Sequence, residues 1–178
     1  MTNEDFVKIF YSYHYSPSID WDSIEEIAWM HKEGLFKFST EIIASEEQFN
    51  KRIDTVIKGK SKLIRNGESD GHLALKSFAR DYLVNCCGVS INDIRYEYPL
   101  IGFEVDVIDK DLYFPAECGS TNALKLEKYL AIPTTKKMLL FPYPRLEVKV
   151  FIFEAKLSFL KYIQFKQKFL NKKRSQFR

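Results

Sequence analysis

The chain has 178 residues, 46% of them hydrophobic, with 27 aromatic side chains and only seven glycines. This length and composition fit one ordinary globular domain and exclude a disordered or collagen-like protein. Apolar runs such as VFIF at 150–153 are far shorter than the ~20 residues that a membrane span needs. The first residues, MTNEDFVK, lack the basic start of a signal peptide. We therefore expect a cytoplasmic protein, in the host cytoplasm if it is viral.

The cysteines and the net charge exclude few classes of function by themselves. Cys86, Cys87 and Cys118 provide neither a disulfide framework nor a CxxC zinc pair. The net charge of +3 conceals an acidic head, with a net of −7 over residues 1–50, and a basic end, with eight bases and no acid over 155–178. A basic end of this kind suits a polyanion or is a solvated tail.

Residues 1–65 are predicted to be a helical, aromatic-rich segment. Ile24, Ile27 and Trp29 follow a helical spacing that ends near Gly34, and apolar positions within 40–59 predict a second helix. This segment contains no catalytic constellation, so we expect it to serve in packing or as a partner-binding surface. The turn-rich NGESDG at 66–71 predicts the boundary with a core over 66–178.

The core reads as alternating helices and strands. Gly88 closes the first helix, the dipeptide at 101–102 predicts a tight hairpin turn, and Asp109, Lys110 and Asp111 form a polar turn. We predict helices over 72–86, 121–131 and 156–170, and strands over 94–100, 103–108, 112–117, 138–141 and 146–153. This order predicts an α/β fold with a mixed central β-sheet flanked by helices, preceded by a helical N-terminal segment.

Rows of basic side chains on two helices are candidates for contacts with nucleic acid. His72, Lys76 and Arg80 recur every four residues, which indicates either a solvated face or a ridge that contacts phosphates. The last helix aligns Lys161, Lys168 and Lys172 beside several aromatic residues. That helix is predicted to pack on the sheet, to form a dimer seam or to follow a phosphate backbone.

Two carboxylates fall on neighbouring strands of the predicted meander. Strand alternation predicts that residues 103, 105 and 107 lie on one face of the sheet and residues 104, 106 and 108 on the other. Asp106 therefore shares its predicted face with Glu104 and Ile108. The turn at 109–111 brings the next strand alongside, and Glu117 ends that strand. Two adjacent carboxylates repel unless a divalent cation neutralises them, and oxygen ligands select Mg²⁺ or Mn²⁺.

The stretch EYPL-IGFEVDVI-DKDLYFPAECG-STNALKLEKYL resembles the core of the PD-(D/E)xK superfamily, the restriction-endonuclease-like nucleases. It is most similar to archaeal and archaeal-virus members that read Glu-x-Gly before a lysine-bearing helix, and the likeness covers about residues 68–145. The resemblance implies that Asp106 and Glu117 bind Mg²⁺ and that the main-chain carbonyl of Cys118 completes the metal site. It also implies that the helix over 72–86 shapes the site and that the protein is a homodimer acting on DNA.

The sequence departs from the superfamily at one position. Gly119 stands where the superfamily usually has its lysine, so Lys125 on the following helix is the natural substitute, with Lys128 as a second choice. Either residue is otherwise an ordinary surface lysine. Glu97 is a third candidate acid, either a metal ligand through water or a glutamate on a strand face.

A second, literal Glu-x-Lys match occurs at Glu154 and Lys156. It lacks an aspartate on a preceding hairpin and is interpreted as the first turn of the last helix.

These observations favour a Mg²⁺-dependent DNA endonuclease, structure-specific or similar to Holliday-junction resolvases, in which Asp106 and Glu117 hold the metal and Lys125 stabilises the developing charge. The missing lysine at position 119 motivates the alternative, an inactive nuclease-fold protein that serves as a DNA-binding or assembly module. A third reading is an unrelated α/β interaction protein whose acids lie on the surface.

Overall fold

The computed structural model describes residues 2–10, 21–59 and 68–176. The helices are α1 (Asn3–Phe10), α2 (Trp21–Lys32), α3 (Glu46–Gly59), α4 (Asp70–Cys87), α5 (Ala123–Leu130) and α6 (Leu157–Gln176). The strands are β1 (Phe36–Ser45), β2 (Ile94–Leu100), β3 (Phe103–Asp109), β4 (Ala116–Cys118), β5 (Met138–Phe141) and β6 (Glu147–Ala155). The predicted boundary between residues 65 and 66 lies outside the described residues.

The strands form one mixed sheet in the order β1-β6-β5-β4-β3-β2. β4 and β5 are parallel, joined across α5, and the other neighbouring strands are antiparallel. The predicted α/β fold with a mixed sheet flanked by helices and preceded by N-terminal helices is thereby confirmed. None of the helices in the described ranges is long and apolar enough to cross a membrane.

Helices cover both faces of the sheet. α3 and α4 pack on one face through side chains such as Phe49, Leu75 and Phe78. α1, α2, α5 and α6 pack on the opposite face, where Phe6, Ile27 and other apolar residues close a second layer. Burial of these two apolar layers is the main source of stability. The sheet therefore supports side chains directed to either side of β3 and β4.

The N-terminal segment contains a strand that the sequence analysis missed. Residues 36–45 form β1, an edge strand paired antiparallel with β6, whereas the sequence pattern assigned residues from 40 onward to a helix. Its aromatic and β-branched residues suit a pleated surface, and pairing with β6 overrides the weaker helical spacing. β1 therefore places part of residues 1–65 in the same sheet as the core strands.

The β2–β3 hairpin turns at Ile101 and Gly102, as predicted. Both residues have positive φ, 50° and 76°, which is the backbone of a type I′ turn. The strict alternation predicted for β3 is wrong, because Val105 and Ile108 pack in the α5 layer while Val107 packs in the α4 layer. The pleat is interrupted next to Asp106, where no strand pair is formed with β2.

The third predicted strand is shorter than expected, since β4 begins only at Ala116. The Asp109 carboxylate accepts hydrogen bonds from the backbone N–H groups of Asp111 and Phe114, at 3.1 and 2.8 Å, and so folds the preceding residues into a loop. Pro115, which has no N–H to donate to a ladder, stands directly before the strand.

Two details of helices α4 and α6 differ from the sequence prediction. α4 is closed by Gly88 as predicted, in a left-handed conformation at φ 71°, but Cys86, predicted to lie in the buried stripe, is exposed. α6 begins at Leu157, so Glu154 belongs to β6 and not to the first turn of the last helix.

Candidate metal centre

The structure places Asp106 and Glu117 on neighbouring strands. Val107 of β3 pairs with Ala116 of β4, and each acid lies one residue beyond that pair on its own strand. Asp106 Oδ2 accepts a hydrogen bond of 2.7 Å from the backbone N–H of Cys118, the residue after Glu117. The aspartate is thus held against the strand that carries the glutamate.

Glu117 is held in position by side chains of the following turn and helix. Its side chain is only 3% exposed, and Lys125 Nζ lies 2.7 Å from Glu117 Oε2. Thr121 Oγ1 donates to the same oxygen at 3.0 Å, and Lys125 also donates to the main-chain carbonyl of Glu104 at 3.0 Å. The α5 lysine therefore lies directly on the second acid.

The other oxygen of Glu117 is buried without a well-formed hydrogen bond. Glu117 Oε1 and the Tyr129 hydroxyl are both buried and neither makes a hydrogen bond of good geometry among the described residues, although the hydroxyl lies near enough to interact with the Glu117 carboxylate. Buried polar atoms in native proteins nearly always have a partner. A buried carboxylate oxygen without a well-formed hydrogen bond, beside a second acid, is therefore an observation that a bound cation or an ordered water would explain.

Burial, and after it the neighbouring Asp106 carboxylate, raises the pKa of Glu117 to about 7, although Lys125 acts in the opposite direction. Burial and the Glu117 carboxylate likewise raise the pKa of Tyr129. A negative charge on Glu117 in addition to the charge on Asp106 is therefore unfavourable at pH 7 unless a further cation binds.

The raised pKa of Glu117 predicts that the metal-free protein loses stability as the pH rises. In the unfolded chain this glutamate has its ordinary pKa of 4.5, whereas the folded protein keeps the proton until about pH 7. Between these values the unfolded state binds fewer protons, so the free energy of unfolding falls by ~3 kcal/mol in total and then levels off.

Urea unfolding in EDTA from pH 4.5 to 8 would measure this dependence. Glu117→Gln should be flatter and more stable than the wild type at pH 8, and Glu154→Gln, in a partly exposed glutamate of β6, should keep the slope. A wild-type slope that Glu117→Gln does not change would contradict the assignment.

The backbone at Gly119 explains why no lysine stands two residues after Glu117. Gly119 has φ 75°, and a Cβ added there would lie 2.6 and 2.9 Å from ring atoms of Tyr143. A side chain at this position would require a left-handed non-glycine residue and displacement of an aromatic ring. The space that a lysine would need is therefore taken by Tyr143.

We predict that Gly119→Ala destabilises the protein by ~2–3 kcal/mol, since the left-handed backbone and the ring contact both oppose the new methyl group. Gly102→Ala is a matched control, because Gly102 has φ 76° and nothing within 4 Å of the added Cβ; only the backbone cost of ~1 kcal/mol is expected. Chemical denaturation measures both. Equal losses would show that Tyr143 does not restrict position 119.

A second group of ligand-type side chains lies on the α4 side of Asp106. Glu68, His72 and Glu97 each present one ligand atom, and these atoms lie within 4.8 Å of one another. Glu97 has φ 48°, and its position in β2 is opposite Asp106, between the pairs Tyr96–Val107 and Tyr98–Val105. This partly buried group could hold a metal ion.

Lys76 and Arg80, expected on a solvated or phosphate-contacting row with His72, have protein partners. Lys76 is fully buried and forms ion pairs with Glu68 and Glu97. Arg80 donates to the neighbouring Asp81 carboxylate at 2.6 Å.

The remaining candidates for nucleic-acid contact belong to α5 and α6. Lys128 of α5 and Lys161 and Lys168 of α6 are exposed, whereas the side chain of Lys172 lies outside the described residues. Contact of these lysines with nucleic acid stays a prediction.

Sequence reasoning did not single out Glu68, Thr121 or Tyr129. Glu68 lies just before the N-cap of α4, four residues before His72. This acid–histidine spacing is a possible metal-ligand signal, but the sequence pattern there indicates a turn followed by a row of cations. Thr121 and Tyr129 carry no such signal, because their role depends on how α5 packs over β4.

The donor set is compatible with a divalent cation. Asp106 and Glu117 carry carboxylate oxygens of the kind that Mg²⁺ and Mn²⁺ favour, and a third ligand from the main-chain carbonyl of Cys118 stays a prediction. Comparisons of the chain with protein-family models, with curated proteins and with solved structures found no match.

Proposed function

We propose that the protein is a metal-dependent nuclease that hydrolyses phosphodiester bonds in DNA, with its active centre at Asp106 and Glu117. The observation that carries the proposal is the burial of the Glu117 side chain, only 3% exposed, with its carboxylate next to a second acid and a lysine. An ordinary surface pair of acids would be solvated and would need no cation.

The order of elements supports the same reading. The stretch that resembles the restriction-endonuclease-like nucleases folds as helix α4, the meander β2–β3–β4, helix α5 and the parallel strand β5. In this arrangement the two acids come from adjacent meander strands and the lysine from the helix that follows them. The resemblance points to Asp106, Glu117 and Lys125, and the proximity of these side chains in the structure supports the proposal.

Each group has a distinct role in the proposed reaction. Asp106, Glu117 and the Cys118 carbonyl would hold Mg²⁺ or Mn²⁺. The metal, when bound, would supply a polarised water and neutralise charge on the phosphoryl oxygens. Thr121 orients the Glu117 carboxylate by donating to Oε2.

Lys125 is the residue proposed to carry the role of the missing lysine at position 119. Its ammonium is held by Glu117 and by the Glu104 carbonyl, and its side chain is 20% exposed. It therefore stands at the edge of the site, where it can add positive charge beside a phosphate.

The alternative is an inactive nuclease-fold protein that binds DNA or assists assembly. It is favoured by one observation, the closure of position 119 by Tyr143, which leaves the superfamily's usual lysine position unusable. Under this alternative the two acids contribute to the architecture and DNA binding does not depend on them.

Cleavage of labelled branched, single-stranded and duplex DNA in Mg²⁺ or Mn²⁺ tests the proposal, with EDTA as the blank. We expect metal-dependent cleavage and a clear ranking of the three substrates. DNA binding without cleavage in either metal would favour the inactive module. A protein that neither binds nor cleaves DNA would contradict both the nuclease proposal and the inactive-module alternative.

A further inference from the structure

The strongest unassigned feature lies beside the proposed centre, where one buried ammonium meets several carboxylates. Lys76 Nζ lies 2.5 Å from Glu68 Oε1 and 4.0 Å from Asp106 Oδ1, and it also donates a hydrogen bond to Glu97 Oε1. Lys76 is fully buried. Within the described residues, this one ammonium thus lies within 4.0 Å of a carboxylate oxygen of each of three acids.

An imidazole stands among the same acids. His72 Nε2 lies 3.6 Å from Glu68 Oε1 and 3.3 Å from Asp106 Oδ1. Glu68 Oε2 is buried and has no hydrogen-bond partner among the described residues. The group thus combines a nitrogen donor, carboxylates in excess over lysine and an unused oxygen, which distinguishes it from a cluster of surface acids.

We propose that Glu68, His72 and Glu97 form a second divalent-cation site, which adjoins the Asp106–Glu117 centre through the Asp106 carboxylate, and that Lys76 is the counter-cation that neutralises this site until an ion displaces it. The ammonium already contacts carboxylates of both glutamate ligands. Because like charges repel strongly where water is excluded, the ammonium and a divalent ion do not share these oxygens.

The donor set also selects the ion. An imidazole nitrogen is a poor ligand for Mg²⁺, which prefers oxygen, and a better one for divalent transition metals, of which Mn²⁺ binds such mixed sites most weakly. We therefore expect the second site to take Mn²⁺ in preference to Mg²⁺. This inference concerns binding alone and does not rest on the nuclease proposal.

Titration of the metal-free full chain with Mn²⁺ by calorimetry tests the inference. The titrations use a Glu117→Gln background, which removes the principal ligand of the other centre, so that the ion still bound reports the second site. We expect Lys76→Met to bind Mn²⁺ at least tenfold more tightly than the parent, since no ammonium has to leave. Lys110→Met is the matched control, because Lys110 pairs with Asp93 at the surface, and its affinity should equal that of the parent.

His72→Gln provides a test that keeps the buried lysine and therefore does not depend on the folding of Lys76→Met. It should weaken Mn²⁺ binding at least tenfold and leave the weaker Mg²⁺ binding nearly unchanged. The inference is overturned if His72→Gln leaves Mn²⁺ affinity unaltered, or if a folded Lys76→Met binds Mn²⁺ no more tightly than the parent. Either outcome leaves the cleavage assay and the proposed nuclease centre unaffected.

Discussion

Replacing Asp106 by Asn is expected to lower the rate of metal-dependent DNA cleavage about a thousandfold, the scale seen when one group that stabilises charge in a transition state is removed. The substitution keeps the shape of the side chain, and the amide oxygen can still accept from the Cys118 N–H that Asp106 Oδ2 now uses. It removes a negative charge that faces Glu117 and also Lys76, at 4.0 Å. Lys76 keeps the closer Glu68 and Glu97 carboxylates, so the loss of activity should far exceed the loss of stability.

Single-turnover cleavage with saturating Mn²⁺ measures this effect, with the melting temperature as the check on folding. Asp111→Asn is the control, since Asp111 is an exposed acid in the β3–β4 turn; its rate should stay within about twofold of the wild type. An Asp106→Asn protein that is folded and cleaves DNA at the wild-type rate would remove Asp106 from the centre.

Replacing Lys76 by Met is expected to have the largest effect on stability. Removing one partner of a buried ion pair leaves uncompensated charge and typically costs about 3–5 kcal/mol. Here the carboxylates of Glu68, Glu97 and Asp106 would lose their shared cation. Added Mn²⁺ should restore part of the lost stability, since the ion can take the place of the ammonium.

Urea unfolding in EDTA, and then in Mn²⁺, measures both effects. Lys110→Met should leave the free energy of unfolding nearly unchanged, because exposed ion pairs contribute little and the Lys110 side chain is 48% exposed. A loss at Lys76 as small as that at Lys110 would show that its pairs are not a structural requirement.

The fold was predictable where one pattern dominates a segment. The apolar stripe of α4 with Gly88 after it, the two-residue turn at 101–102 and the wholly apolar β5 each carry a local signal that tertiary contacts reinforce. β1 was not predictable in this way. It is an edge strand whose exposed residues lack strict alternation, and it becomes a strand through its pairing with β6.

The sequence predicts the proximity of Asp106, Glu117 and Lys125 but not the surroundings of Lys76. A hairpin brings neighbouring strands together whatever their side chains, so the closeness of the two acids follows from the meander, and Lys125 from the resemblance. Lys76 was assigned to a solvated or phosphate-contacting row of cations, because helical spacing identifies a shared face but not what covers it. The buried Lys76 pairs with Glu97, whose positive φ of 48° interrupts the regular backbone of β2. Strand propensity does not reveal such an interruption.

The most direct test of the account is to locate the metal. Crystals of the wild-type protein grown or soaked with Mn²⁺ and measured at the manganese absorption edge would show where the ion binds. We predict an anomalous peak within about 2.3 Å of carboxylate oxygens of both Asp106 and Glu117. Anomalous peaks only at other carboxylates, with Glu117 still bound to Lys125 and Thr121, would contradict the proposed centre.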